Sequence, residues 1–140
     1  MPRNATETMT ATQYRAKGKP RRDHEHREQV QLINWCESHK DIIPELGLIY
    51  AVPNAGKRSR AAGGKAKAEG LKAGVPDLVL PVPRGRYAAL YIEMKVKGNT
   101  TTPAQEEWIE ALRKAGNKAE VCYGWESARD TIMDYLGVTT

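Results

Sequence analysis

Apolar positions recur along the chain with two different periods, and the switches between them predict its elements. From His24 to His39, Val30, Leu32, Ile33 and Cys36, with Trp35 beside them, form a stripe at helical spacing. Asp23 is a candidate cap for that helix, and Pro44 and Gly47 punctuate its exit. Leu48 to Val52 is short, β-rich and closed by Gly47 and Pro53, which predicts a strand. A Lys-, Ala- and Gly-rich stretch follows. It predicts a helix of mediocre propensity from about Ser59 to Ala73, weakened by Gly63, Gly64 and Gly70. Pro76 to Val82 and Tyr87 to Lys95 predict two strands joined by a tight turn at Arg84-Gly85-Arg86, a hairpin. Thr102 caps and Pro103 opens a helix to about Ala115, and Gly116 stops it. Lys118 to Tyr123 is a fourth strand. Ala128, Ile132 and Leu136 line a last helix from Ser127 to Leu136. Such an order predicts an α/β domain, a mixed sheet with helices packed on it.

Composition narrows the picture. A length of 140 residues suits one domain that buries its own core. Hydrophobic residues at 40% and charged residues at 28% argue against a disordered chain. No apolar run reaches the roughly 20 residues of a membrane helix. Met1 to Pro20 lacks the apolar segment of a secretory signal, so a cytoplasmic protein is expected. Cys36 and Cys122 have no CxxC spacing and read as reduced packing residues. His24, His26 and His39 read as helix-end residues rather than zinc ligands, and Trp108 and Trp125 as core anchors. The Gly-rich run AAGGKAKAEG is no P-loop, because it lacks GxxxxGK[ST].

The net charge of +5 is unevenly spread. Residues 1–23 are Thr-, Arg- and Lys-rich with no apolar periodicity, which predicts a flexible basic arm ahead of a domain over 24–140. A second basic stretch runs from Lys57 to Lys97. A basic arm plus a basic middle points to a polyanionic partner, most simply nucleic acid. Asn54, Lys57, Arg58, Arg60, Lys65 and Lys67 are the candidate contacts, as phosphate-binding groups rather than a merely solvated face.

The candidate chemistry lies in the hairpin. Alternation sets Tyr91, Glu93 and Lys95 on one face of their strand and Leu90, Ile92 and Met94 on the other. Glu93 and Lys95 are then about 7 Å apart. A turn around Pro83 to Arg86 brings Asp77 to the level of Glu93. Adjacent like charges in a half-buried sheet are unfavourable unless a cation neutralises them. A hard divalent ion such as Mg²⁺, held by carboxylates, waters and phosphate oxygens, fits that role.

Several segments together carry a family resemblance. Gly74-Val75-Pro76-Asp77-Leu78 followed by Tyr91-Ile92-Glu93-Met94-Lys95 resembles the PD-(D/E)xK nuclease signature, and more narrowly the VRR-NUC domain of stand-alone phage and bacterial type. Val52 to Arg58 resembles that module's PNGGKR loop, with Ala55 in place of its first glycine. Ala68 to Gly74 resembles its lead-in to the aspartate, and Thr102 to Trp108 its S/TPxQxxW helix. The resemblance covers roughly His24 to Leu136. It implies a restriction-endonuclease-like core, a mixed central sheet flanked by helices in αβββαβ order.

It further implies Asp77, Glu93 and the main-chain carbonyl of Met94 as metal ligands, with Lys95 as catalytic base or stabiliser. An acid on the first helix completes the site, with Glu25 preferred for its spacing to Gln29 and Glu28 as competitor. Gln105 is a further catalytic candidate. The implied activity is Mg²⁺-dependent hydrolysis of DNA phosphodiesters, with Mn²⁺ as a substitute, in a bacterial or phage-infected cell. The expected substrate is branched DNA such as four-way junctions, cut by a homodimer through Trp35, Ile42, Ile43 and Leu46. A catalytically silent nucleic-acid-binding module on the same fold is the rival reading, and action on RNA a third.

Overall fold

The computed structural model describes residues 20–53 and 60–139, with side chains described from His24 to Pro53 and from Gly64 onward. Its elements run in the order α1 (Pro20–His39), a 3-10 turn (Pro44–Leu48), β1 (Tyr50–Ala51), α2 (Arg60–Ala68), β2 (Leu78–Leu80), β3 (Leu90–Lys95), α3 (Pro103–Lys114), β4 (Lys118–Tyr123) and α4 (Trp125–Leu136). The four strands form one sheet in the order β1-β2-β3-β4. β1 with β2 and β2 with β3 are antiparallel, while β3 and β4 are parallel across the α3 crossover. The expected mixed sheet flanked by helices is thus present.

One face of the sheet carries the core. Leu78, Leu80, Leu90, Ile92, Met94 and Cys122 meet Leu32 and Cys36 of α1 and Ala128, Ile132, Tyr135 and Leu136 of α4. All three residues of β2 are buried, so this strand is apolar throughout rather than alternating. Both cysteines are free and buried, as expected of packing residues. Burial drives the Cys36 thiol up to about 12, which keeps it an unreactive thiol.

Several boundaries differ from the sequence reading, each for a local reason. α1 begins at Pro20, not His24, so Asp23 lies inside the helix and does not cap it. Proline is compatible with a first helical turn because the N–H it lacks has no partner there. The buried stripe of α1 is Leu32 and Cys36, with Ile33 and Trp35 packed beside it, while Val30 is 42% exposed. Leu48 ends the 3-10 turn instead of opening β1, because Pro44 starts a tight turn there. α2 stops at Ala68, and Gly70 turns away at a φ of +103°. β2 and β3 are shorter than predicted, and their hairpin closes through a bridge between Arg84 and Tyr87. α4 begins two residues early, at Trp125, for a reason found at the site below. Trp125 packs on the core as expected. Trp108 does not: it is half-buried and lines a shallow surface pocket with Glu107 and Ala111.

Candidate active site

The register of the hairpin brings the two acids together. Leu78 pairs with Ile92 and Leu80 with Leu90, so Asp77, one residue before β2, stands beside Glu93. Asp77 is held from three sides. Its carbonyl accepts the Val52 N–H at 2.8 Å. Its Oδ2 accepts the Met94 N–H at 2.8 Å, tying the side chain across to β3. Ahead of it Pro76 is fully buried, and Gly74, at a φ of +89°, packs against Ala104 at the start of α3.

Glu93 is 3% exposed and Lys95 6% exposed. The Glu93 Oε2 accepts Nε2 of Gln105 at 3.1 Å and lies 3.9 Å from Nζ of Lys95. Its Oε1 is buried and, among the described residues, has no hydrogen-bond partner. Burial pushes the Glu93 carboxyl up to about 8, the neighbouring Asp77 carboxylate adds to the rise, Lys95 opposes it and Glu25 adds further.

Gln105 reaches Glu93 through a helix cap. The Thr102 Oγ1 accepts the Gln105 N–H at 3.2 Å, and the Gln105 Oε1 accepts the Thr102 N–H at 2.9 Å, a reciprocal capping box. With its oxygen occupied by the cap, the amide turns its nitrogen to Glu93. A glutamate would cap equally well but would set a third carboxylate against the pair.

The first helix delivers two acids, and they do different things. Glu28 Oε1 accepts the N–H of Trp125 at 2.8 Å, which caps α4 from another element and explains why that helix starts early. The adjoining Gly124 N–H donates to the Lys95 carbonyl at 3.0 Å, so this junction also fixes the end of β3. Glu25 accepts a hydrogen bond from Asn99 Nδ2, in the loop after β3, and its charge reaches Glu93. Glu28 is thus engaged at the start of α4, and Glu25 in the loop after β3. Neither the Asn99 contact nor the cap by Glu28 is visible in the sequence. Asn99 sits in a polar loop without a motif, and a cap that joins α1 to α4 leaves no local signature.

The donor set tests whether a metal fits. Two adjacent carboxylates, one with a buried unpartnered oxygen, form an all-oxygen site of the kind hard divalent cations take together with water and phosphate. Among the described residues no group of three or more His, Cys, Asp or Glu side chains is placed to hold a metal alone. A hard divalent cation held by two such carboxylates would keep positions open to water and substrate oxygens. Of the expected nucleic-acid contacts, Lys65 and Lys67 are exposed in the last turn of α2. Asn54, Lys57 and Arg58 lie outside the described residues, as does the side chain of Arg60.

The domain is thus a mixed α/β sheet in which half-buried Asp77 and buried Glu93 meet across an antiparallel hairpin, beside a βαβ crossover. The family model of the VRR-NUC domain matches residues 10–126, and the chain belongs to that family. A solved structure described as a VRR_NUC domain protein is 33% identical, covers 83% of this chain and 90% of its own, and superimposes with a TM-score of 0.70. Among curated proteins none matches. The family is of nuclease type, which makes DNA the substrate class. Among the described residues no helix is long and apolar enough to cross a membrane.

Proposed function

We propose that the chain is a metal-dependent endonuclease that hydrolyses DNA phosphodiesters at the Asp77–Glu93 pair. The observation that carries this reading is Glu93. A carboxylate almost wholly removed from water, beside a second carboxylate and with one oxygen unpartnered among the described residues, is costly unless a cation occupies the position. Asp77, Glu93 and the Met94 carbonyl would hold Mg²⁺, or Mn²⁺ in its place. The ion supplies Lewis-acid polarisation of the phosphodiester and a more acidic water.

The chain's own groups do the rest. Lys95, buried on the same strand face, orients the attacking water and stabilises the charge that develops on phosphorus oxygens. Gln105 is a positioning residue: it fixes the Glu93 carboxylate through Oε2 and leaves Oε1 for the cation. Glu25 stands at the rim and serves as the additional acid, released from Asn99 when substrate arrives. Lys65 and Lys67, with Asn54, Lys57, Arg58 and Arg60, supply phosphate contacts.

Branched DNA, four-way junctions above all, is the substrate in this proposal, and a homodimer with a two-fold axis would nick both strands. Its interface differs from the one expected. Leu46 is 1% exposed in the core and so unavailable, while Trp35 and Ile43 pack against that core and are only partly exposed. Ile42 (79% exposed), Leu48 and Tyr50 are exposed before and within β1, an edge strand of the sheet among the described residues. Incubation with labelled four-way, flapped, nicked and linear DNA in Mg²⁺, Mn²⁺ or EDTA tests the whole reading. Cleavage with either metal, none in EDTA and a preference for junctions is expected. No cleavage of any DNA with either ion would overturn it.

A further inference from the structure

The acids sit at the C-terminal end of β3. At the opposite end of the sheet the structure holds a pocket of about 370 Å³ that the proposed chemistry does not use. Arg86, Tyr87, Arg113, Asn117, Lys118 and Glu120 line it. They come from the hairpin turn, the end of α3 and the start of β4, so the fold assembles the pocket from three segments.

Its charge is unbalanced. The Arg86 guanidinium lies 5.4 Å and the Lys118 ammonium 5.5 Å from the centre of the Tyr87 ring. Hydrogen bonding from Arg86 and its charge draw the Tyr87 phenol below its usual range. Arg113 donates to the Ala119 carbonyl at 3.0 and 2.7 Å and lies 3.7 Å from Glu120. Lys118 lies 3.5 Å from the same carboxylate. Two cations thus share one acid, and Arg86, the third, is in no ion pair among the described residues. Tyr87 in turn is backed by Tyr135, whose hydroxyl donates to the Val82 carbonyl at 2.6 Å.

Bland explanations account for only part of this. Arg113 and Lys114 suit the C-terminus of α3, where cations complement the helix dipole. Arg86 belongs to another segment and gains nothing from that helix. Cations that converge on one concave surface repel each other unless an anion sits between them. The ring faces are taken by cations, so the pocket offers charge rather than a stacking surface, and an anionic oxygen group fits it better than a base.

We infer that this pocket seats a backbone phosphate of the DNA at a second contact, remote from the bond that is cut. The inference rests on the nuclease reading for the identity of its ligand. The run from Tyr87 to Glu93 spans up to roughly 20 Å at about 3.3 Å per residue. On B-form DNA that is about six base pairs of rise. A contact at that distance would fix how the duplex, or a second arm of a junction, lies across the sheet.

The test measures binding in EDTA, so it does not depend on cleavage. Wild type, the double variant Arg86→Gln/Lys118→Gln and the charge-keeping variant Arg86→Lys/Lys118→Arg are titrated with a 30-base-pair duplex and a four-way junction across a salt series. All three are first matched for thermal midpoint. The inference expects the Gln variant to bind at least about threefold more weakly. Its slope of log affinity against log salt should be shallower by about 0.9, the value for one lost phosphate contact. Phosphate-ethylation interference should lose one cluster of positions and keep the others, and the charge-keeping variant should behave as wild type. An unchanged slope with an unchanged interference pattern would overturn it, as would wild type that binds no DNA. Nicking is scored separately with Mg²⁺. Wild type that cuts while the slope stays unchanged defeats only the second contact. A slope that falls while no metal supports cutting defeats only the hydrolytic reading.

Discussion

Gln105 does two tasks with one amide, and that makes its identity testable. Gln105→Glu keeps the oxygen that caps α3 but replaces the donor to Glu93 with a carboxylate. The helix should hold its stability, because the capping box accepts either residue. Activity should fall by at least about 10²-fold, a typical cost of losing one active-site hydrogen bond. Circular dichroism melting and nicking rates check the two halves.

At Glu93 the prediction concerns pH. Its carboxyl is raised from 4.5 to about 8 in the folded protein. The native state therefore holds a proton that the unfolded chain releases. The stability this contributes is full below about pH 4.5 and lost as pH rises through 8. In EDTA, the melting temperature of wild type relative to Glu93→Gln should fall steadily between pH 5 and about 8.5; a flat difference would show that Glu93 is already ionised. Lys95→Ala should retain DNA binding and lose about 10²-fold or more in rate. Weaker binding at unchanged turnover would reduce Lys95 to a phosphate contact.

At the scale of elements, the site depends on where β2 and α3 meet. Gly74 has a φ of +89°, and a Cβ there would lie 2.9 Å from the backbone carbon and the Cβ of Ala104. Neither of those atoms can rotate away. Gly74→Ala must therefore push the Asp77 segment off the start of α3, which also carries Gln105. The expected cost is roughly 2 kcal/mol or more, from positive φ and overpacking together. Urea denaturation should show a lower midpoint at an unchanged slope. The same geometry explains why α1 is only weakly amphipathic: its inner face is apolar at Leu32 and Cys36 but acidic at Glu25 and Glu28, where it passes the site and the start of α4.

For the whole molecule, the proposed homodimer turns on β1, an edge strand among the described residues. Ile42, Leu48 and Tyr50 are 79%, 54% and 52% exposed, and an exposed edge strand with apolar neighbours is a surface that proteins usually cover. Light scattering should give about twice the 15.6 kDa of one chain, and Ile42→Asp/Tyr50→Asp should return it to a single chain. A wild-type mass near 15.6 kDa would remove the dimer and with it paired nicking.

What the sequence determined alone is local or periodic. The period-2 pattern of Tyr91, Glu93 and Lys95 put two chemical groups on one strand face. Pro103 and Gly116 bounded α3 closely, and Lys118 to Tyr123 was legible as β4 residue for residue. A turn at Arg84 to Arg86 was enough to set Asp77 beside Glu93, because an antiparallel register follows from the turn that closes it. Tertiary structure decided whatever depends on contacts between distant segments. Glu25 and Glu28 share a helix face, and no spacing rule separates them. Only the approach of Asn99 to one and of Trp125 to the other gives them different work. Leu46 and Ile42 look alike in sequence, yet one is sealed in the core and the other stands in solvent. Trp108, read as an anchor, lies outside that core. The start of α4 moved to Trp125 because its cap comes from α1, nearly a hundred residues away. Burial and capping of this kind are settled by which surfaces meet, and that is a property of the packed molecule rather than of any stretch of chain.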